Sequence, residues 1–281
     1  MNEITRAHWG SDDVTGEEVR SWFAHEELDV LVAEEDGQIV GYCDRWRERE
    51  RDRAWFDLAA RPGDDSTHAT LLRELEKRAA PDVDSGALAM TYIPSVDDTR
   101  RGVLEGAGYE LFRHSFRMTI ALGDAVAPDW PDGLRLTTYA QEHEVAIHAA
   151  HQEAFADHWE HKHEPIEEWR KWLVDGPGFD PTFWFVAWDG DEIAGLSLCR
   201  IHSSGDAEHG YVGVLAVRRP WRRRGLGTAL LRHSFADMQR RGMTKASLGV
   251  DAENTTGAVR LYERAGMEVE RLYDAYRKEL A

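Results

Sequence analysis

The sequence predicts an α/β (α+β) chain in which one module occurs twice in tandem, the second copy complete and the first shortened. Two observations carry this. Residues 210–228 read as a strand, a basic glycine loop and the opening of a helix, and three landmarks of the second half recur in order in the first. Gly41, in the hairpin text from Leu28 to Arg45, matches Gly195 in the text from Thr182 to Arg200. Leu58-Ala-Ala matches Leu215-Ala-Val, and Ala107-Gly-Tyr matches Ala265-Gly-Met. Landmarks that keep a near-constant separation mark a duplicated unit. The predicted division is residues 1–122, a linker at 123–133 rich in Pro, Gly and Asp, and residues 134–281.

The elements follow from local chemistry. In the first copy, Leu28 to Arg45 reads as a hairpin that turns at Asp36-Gly37. In the second, Leu134 to Thr138 reads as a strand. A helix is expected from Gln141 through Phe155, with Val145, His148, Ala149, Gln152 and Phe155 on one face. A polar segment, Ala156 to Pro165, separates it from a short helix over Ile166 to Val174. Tyr211 to Val217 is rich in β-branched and aromatic residues, and Gly213 suits a bulge. Pro220 ends that strand because it has no N–H for the ladder. Beyond Gly227 the period becomes helical, with Leu230, Leu231, Ser234, Phe235 and Met238 on one face. Ala246 to Asp251 reads as the next strand. Asn254 then begins a helix that runs through Ala265 and stops with Gly266 at C′.

A glycine loop that opens a helix leaves backbone N–H groups unpaired beside the positive end of the helix dipole. That is a site for phosphate, and Arg222, Arg223 and Arg224 add mobile positive charge around it. Two common phosphate loops are excluded. A P-loop needs Lys and then Ser or Thr after its last glycine, whereas Gly227 is followed by Thr228-Ala229. A dinucleotide fingerprint needs a small residue where Leu230 stands. What fits is Arg-x-x-Gly-x-Gly, Arg222 to Gly227, preceded by Leu215-Ala-Val217 and followed in order by Asn254 and Tyr262.

This text resembles the cofactor site of the GNAT (GCN5-related N-acetyltransferase) family from Leu134 to the end of the chain. The resemblance implies two GNAT modules, each a mixed, mostly antiparallel sheet splayed at a central parallel strand pair, with flanking helices. It implies acetyl-CoA as co-substrate. The backbone of Leu215, Ala216 and Val217 would hold the pantetheine arm, and Arg222, Arg223, Arg224, Gly225, Leu226, Gly227 and Thr228 the pyrophosphate. Asn254 would contact the pantetheine, and Tyr262 would protonate the departing thiolate. The strand position at which family members carry a glutamate base falls on Tyr211, so Glu208 and His209 at the start of the strand become the other candidates for moving the amine proton. Asp251 reads as structural. In the family the segment between the first two helices lines the acceptor pocket; here that places His158 and Trp159 at the substrate. His158, His161 and His163 lack the spacing of a helical metal site, so no metal is expected.

The first copy lacks these parts. Arg61-Pro-Gly-Asp-Asp-Ser-Thr-His68 replaces the basic loop, and Asp64 and Asp65 repel a pyrophosphate; Val96 and Leu104 stand where Asn254 and Tyr262 stand. Residues 1–122 are read as a degenerate module with a structural role. Hydrophobic residues make up 42% and charged residues 31%, as in a water-soluble globular chain, and the net charge of −18 argues against nucleic-acid binding. No apolar run reaches the ~20 residues that cross a bilayer, and the N-terminal text has no signal-peptide core, so a cytoplasmic protein without a membrane partner is expected. Cys43 and Cys199 are expected to be buried thiols. The expected function is transfer of the acetyl group of acetyl-CoA to a primary amine of a small molecule, by direct attack in a ternary complex. The tandem arrangement is similar to that of the mycothiol synthase group, which acetylates a cysteinyl-sugar amine; an aminoglycoside-type resistance acetyltransferase is the alternative within the class. A non-catalytic acetyl-CoA sensor is the alternative outside it. Monomer and homodimer are both compatible with this reading.

Overall fold

The computed structural model describes residues 6, 15–23, 28–48, 52–80, 86–123, 127–159, 161–176, 178–202, 204–254 and 256–280. Residues 124–126 of the expected linker and 1–5 of the N-terminal text lie outside the described residues. The chain forms two compact units. The first is Met1–Phe116 with Asp251–Glu253 and Arg271–Ala281; the second is Arg117–Val250 with Asn254–Glu270. Neither is a continuous stretch of sequence.

The first unit contains α1 (Gly16–Phe23), β1 (Leu28–Glu35), β2 (Gln38–Glu48), β3 (Arg53–Ala60), α2 (Asp65–Ala79), β4 (Leu88–Pro94) and α3 (Asp98–Gly106). The β1–β2 hairpin turns at Asp36 and Gly37, both at positive φ (50° and 76°), the geometry of the two-residue turn that matches strand twist. β1, β2 and β3 pair antiparallel, and β3 pairs parallel with β4 over Arg53–Trp55 and Leu88–Met90. The other edge of β4 takes β11 (Glu268–Glu279), antiparallel, from Tyr273 opposite Pro94 to Glu279 opposite Leu88. The core under this sheet joins Cys43, Phe56 and Leu58 to Leu71, Leu72 and Leu75 of α2, Leu104 of α3 and Tyr276 of β11.

The second unit contains β6 (Leu134–Thr138), α4 (Glu144–Phe155), α5 (Ile166–Leu173), β7 (Trp184–Asp189), β8 (Glu192–Ile201), β9 (His209–Val217), α6 (Leu226–Arg240), β10 (Lys245–Asp251) and α7 (Ala258–Arg264). The strands lie in the order β6-β7-β8-β9-β10, followed by β5 (Glu110–Ala121). β6 to β9 pair antiparallel and β9 pairs parallel with β10. Each unit is thus a mixed, mostly antiparallel sheet with one short parallel pair. Among the described residues, no helix is long and apolar enough to cross a membrane, which says nothing of strands.

The same packing device occurs in each unit. A Cβ on Gly195 would lie 2.8 Å from the Ala216 carbonyl oxygen and 3.0 Å from Leu230 of α6; a Cβ on Gly41 would lie 2.8 Å from Thr67 and 2.9 Å from Leu71 of α2. In both units a helix seats itself on a strand where a glycine removes the side chain. Both helix ends at Gly108 (φ 86°) and Gly266 (φ 93°) close in the same way. The N–H of Tyr109 reaches the Leu104 carbonyl at 2.9 Å, and the N–H of Met267 reaches that of Tyr262 at 3.0 Å.

Two expectations are corrected. The buried face of α4 is Ile147, His148 and Ala150, whereas Val145 is 71% exposed and Ala149 is exposed. His148 is buried as expected, with Nε2 2.8 Å from the Glu164 carbonyl, and His151, which the expected face omits, accepts at Nδ1 from Trp169 Nε1 at 2.8 Å. The second correction concerns Asn254, which does not begin a helix. Its side chain accepts from the Thr256 N–H at 2.8 Å in a local turn, and α7 starts only at Ala258, after Gly257 at φ 84°. Both cysteines are buried free thiols.

The glycine contacts predict opposite outcomes at two kinds of site. Gly195→Val and Gly41→Val are expected to cost about 1–3 kcal/mol each in urea unfolding, as overpacking does. Gly102→Ala, in α3 with nothing within 4 Å of the added carbon, is expected to stabilise by about 0.4–1 kcal/mol.

Candidate functional site

The site lies in the second unit and begins with a bulge. Leu198 faces Val214 but Cys199 faces Val212, so Gly213 is the extra residue on β9. The parallel ladder from β10 ends just before it, at Ser247 opposite Tyr211. From there Val212 to Val217 pair with β8, and the ladder with β10 does not continue along Leu215, Ala216 and Val217, where the Val217 carbonyl accepts from Arg222. A parallel pair that parts after three residues forms a slot lined by backbone donors and acceptors.

The loop sits at the far end of this strand. A short turn at Arg219–Trp221 leads to Arg223 (φ 62°) and Gly225 (φ 84°), and α6 begins at Leu226. No side chain caps the start of α6. The N–H groups of its first turn, Leu226 to Thr228, are therefore left for another acceptor. Gly227 brings the two halves of the site together: a Cβ there would meet Leu261 of α7 at 3.1 Å and Val217 of β9 at 3.6 Å. The first unit shows the contrast. Asp64 caps α2 by accepting from the Thr67 N–H at 2.9 Å, Thr99 Oγ1 takes the Gly63 N–H, and His68 Nε2 takes the Ala60 N–H. There the donors that open the helix and its loop are used by the protein itself.

Arg222 is not a mobile charge. Its guanidinium donates to the Val217 carbonyl (3.0 Å), the Ala154 carbonyl (2.9 Å) and Asp157 (3.0 Å), tying the end of α4 to the end of β9. Arg219 also pairs with Asp157, and Arg219 and Arg222 together hold that carboxyl down to about 2. Arg223 and Arg224 are exposed beside the loop and carry its remaining charge.

Tyr262 is buried on α7, and its hydroxyl makes no hydrogen bond among the described residues. Burial, with a contribution from Tyr211, pushes the phenol up to about 12, so it keeps its proton at neutral pH. Tyr211 lies half-buried at the last pair of the parallel ladder, its hydroxyl reaching across β10 toward Gly249. Glu208 and His209 lie at the start of β9. Glu208 is exposed in the turn before β9, its carboxylate 3.3 Å from Thr244 Oγ1. His209 is buried with Nε2 2.8 Å from Ser247 Oγ, and burial, with Lys245 adding to it, lowers its imidazole to about 4. At about 3.3 Å per residue, His209 stands roughly 20 Å along the strand from Leu215.

His158 and Trp159 are half-buried in the turn after α4, with ring centroids 6.3 Å apart, and His158 packs edge-on to Phe155. Among the described residues no group of three His, Cys, Asp or Glu side chains is placed to hold a metal. Sequence reasoning passed over Arg117 and Arg200, whose guanidinium carbons lie 6.0 Å and 5.1 Å from the Tyr211 ring centroid. Arg200 had a signal, since the hairpin register sets it opposite Tyr211; Arg117 had none, because its strand joins the sheet through a long-range pairing.

Comparison with known proteins places the chain among acetyltransferases. A family profile described as Acetyltransferase (GNAT) family matches residues 144–267. A mycothiol acetyltransferase of Geodermatophilus obscurus is 31% identical over 248 residues, 85% of this chain and 78% of that protein. One from Streptomyces bingchenggensis is 29% identical over 262 residues, 89% of this chain and 80% of the relative. Among solved structures, a GCN5-related N-acetyltransferase from Sphaerobacter thermophilus superposes with a TM-score of 0.80 at 29% identity, covering 99% of this chain and 90% of its own. A tandem GNAT protein from the clavulanic acid biosynthesis pathway shares the fold, with a TM-score of 0.77 at 14% identity, covering 99% and 92%.

The two depressed imidazoles of this unit give a pH dependence of known sign. Burial, with His148 and His161 adding to it, lowers His151 to about 4, as burial also does His209. The unfolded chain takes up those protons near 6.5. Stability present above about pH 6.5 is therefore lost as pH falls toward 4, because the unfolded state binds more protons over that window. The urea midpoint is expected to drop between pH 7 and 4.5. In His151→Gln, which keeps an acceptor for Trp169, the drop is expected to be shallower.

Proposed function

This chain belongs to the GNAT acetyltransferase family, and we propose that its second unit alone binds acetyl-CoA and transfers the acetyl group to a primary amine of a small molecule. The carrying observation is the difference between two helix starts: α6 has no side-chain cap, whereas Asp64 fills that position on α2. An uncapped helix start with glycines and flanking arginines suits a pyrophosphate. In this reading Gly225 to Thr228 cradle the pyrophosphate, with Arg223 and Arg224 at its side. The unpaired edge of Leu215 to Val217 hydrogen-bonds the pantetheine amides, and Asn254 borders the same slot. Arg222 acts as a positioning residue that fixes the loop to α4 and β9. The sequence modules 1–122 and 134–281 are then the products of one duplication, of which the first copy has turned its anion site inward.

The reaction is a direct attack. The amine nitrogen forms a bond to the thioester carbon, the carbon–sulfur bond breaks, and the electron pair leaves on sulfur. Backbone N–H groups at the splay stabilise the charge that gathers on the carbonyl oxygen. Tyr262, protonated at neutral pH, gives its proton to the thiolate. Tyr211 stands where a carboxylate base would stand, so the amine is taken up neutral, and its proton passes to solvent. His158 and Trp159 are proposed to border the acceptor. The name of the two relatives points to a mycothiol-type amine as the first acceptor to assay, ahead of an aminoglycoside. We read the protein as cytoplasmic.

Calorimetric titration with acetyl-CoA tests this. One site per chain is expected, abolished by Gly225→Glu; two sites would overturn the assignment of a single live unit. Tyr262→Phe is expected to lower kcat about 10²-fold or more with the acetyl-CoA affinity unchanged. Because Tyr262 titrates near 12, it contributes no alkaline loss of kcat below about pH 11.

A further inference from the structure

The slot between β9 and β10 has one closed end, and its two faces are closed in different ways. The parallel ladder runs from His209 opposite Lys245 to Tyr211 opposite Ser247 and stops there. On the α6 face the ladder is sealed, since a Cβ on Gly210 would lie 2.5 Å from the Met238 sulfur. Alternation turns Tyr211 to the other face. There the space just beyond the ladder is bordered by two glycines, Gly213 of β9 and Gly249 of β10. Both are exposed, while Val212, Val214, Leu248 and Val250 on either side of them are buried. The Tyr211 side chain lies across this opening. Two of its ring carbons are 3.9 Å and 4.0 Å from where a Cβ on Gly213 would stand, and its hydroxyl is 3.2 Å from the same point on Gly249. One phenol thus spans from strand to strand where the two part.

The ring is also held from behind. The Arg200 and Arg117 guanidinium carbons lie 5.1 Å and 6.0 Å from its centroid, and the His202 ring packs edge-on to it at 5.7 Å. A thioester with its pyrophosphate at the start of α6 and its arm along Leu215 to Val217 carries its acyl group at the end of that arm, toward the ladder. Tyr262, the acid in that reading, is near enough for Tyr211 to add to the upward push on its phenol. A sulfur beside Tyr262 therefore has Tyr211 ahead of it. An acyl chain cannot pass between strands that are hydrogen-bonded, nor toward α6, where Met238 fills the space. It can lengthen only through the volume that the Tyr211 ring occupies.

We infer that Tyr211 sets the length of the acyl group: its ring ends the slot just beyond the thioester, so that acetyl-CoA is accepted and longer acyl-CoAs are refused. This rests on the acetyl-transfer reading and adds to it a residue that selects the donor rather than the acceptor. A ring packed on several sides does not yield to an extra methylene without displacing its neighbours, and overpacking of that kind costs binding energy. A carboxylate at this strand position, shorter than a phenol, would leave the opening between the two glycines unfilled.

The test is calorimetric titration of the full chain, with no amine present, by CoA and by acetyl-, propionyl-, butyryl- and hexanoyl-CoA. In the unaltered protein Kd is expected to rise about tenfold or more from acetyl- to butyryl-CoA, as overpacking predicts. In Tyr211→Ala butyryl-CoA is expected to bind at least as tightly as acetyl-CoA, each added methylene gaining up to about fourfold, the worth of one buried CH2 group. Tyr211→Leu keeps an apolar side chain on the strand; its preference is expected to lie between the two, and it carries the test should Tyr211→Ala not fold. Hexanoyl-CoA bound as tightly as acetyl-CoA by the unaltered protein, or an unchanged order of affinities in the folded variants, overturns the inference and leaves the acetyl-transfer reading standing. No binding of CoA or of any acyl-CoA overturns both.

Discussion

The start of α6 has no side-chain cap among the described residues, and much of the second unit packs closely around that point. A helix N-terminus is ordinarily capped, and leaving it bare costs on the order of 1 kcal/mol. The cost is borne by close packing around the same point. Gly195 lets the helix settle onto β8, Gly210 lets its far end settle onto β9 against Met238, and Gly227 lets Leu261 and Val217 meet under the loop. Arg222 then locks the loop to two other segments through three acceptors. In the first unit the same architecture survives with the opposite solution. Asp64, Thr99 and His68 use up the donors, and the helix start becomes an ordinary structural cap.

The bulge at Gly213 does a second kind of work. It releases β9 from β10 after three paired residues, so that one edge of the strand has no partner within the sheet. It also ends the ladder beside Tyr211, whose ring lies near the Arg117 and Arg200 guanidiniums and whose phenol adds to the upward push on Tyr262. The proposed slot, anion cradle and acid thus depend on two irregularities in the backbone, a bulge and a bare helix end, rather than on a dense cluster of side chains.

Features set by neighbours in sequence were legible without coordinates. The Asp36-Gly37 turn, the glycine loop, the bulge at Gly213 and the Gly266 stop all arise from residues within a few positions of one another. Features set by distant partners were not. The face of α4 turns away from Val145 and Ala149 partly because His151 reaches Trp169, a distant partner that hydropathy does not register. Arg222 reads as a mobile charge until Ala154 and Asp157 are seen beside it. Asn254 looks like a helix cap because it precedes an apolar run, yet Gly257 in the left-handed region resets the start. The pairing of β4 with residues 273–279 has no local signature at all.

That last pairing bears on how the chain is made. A ribosome delivers residues 1–116 first, but the sheet they build needs residues 273–279 along β4, and its core needs Tyr276. Domains usually fold in the order in which they emerge. Here the earlier-synthesised unit is the one that finishes later, and its β4 edge stays open while the remaining residues are translated. Such an edge is an invitation to mispairing. Synthesis rate and chaperone cover therefore matter more for the first unit than for the second.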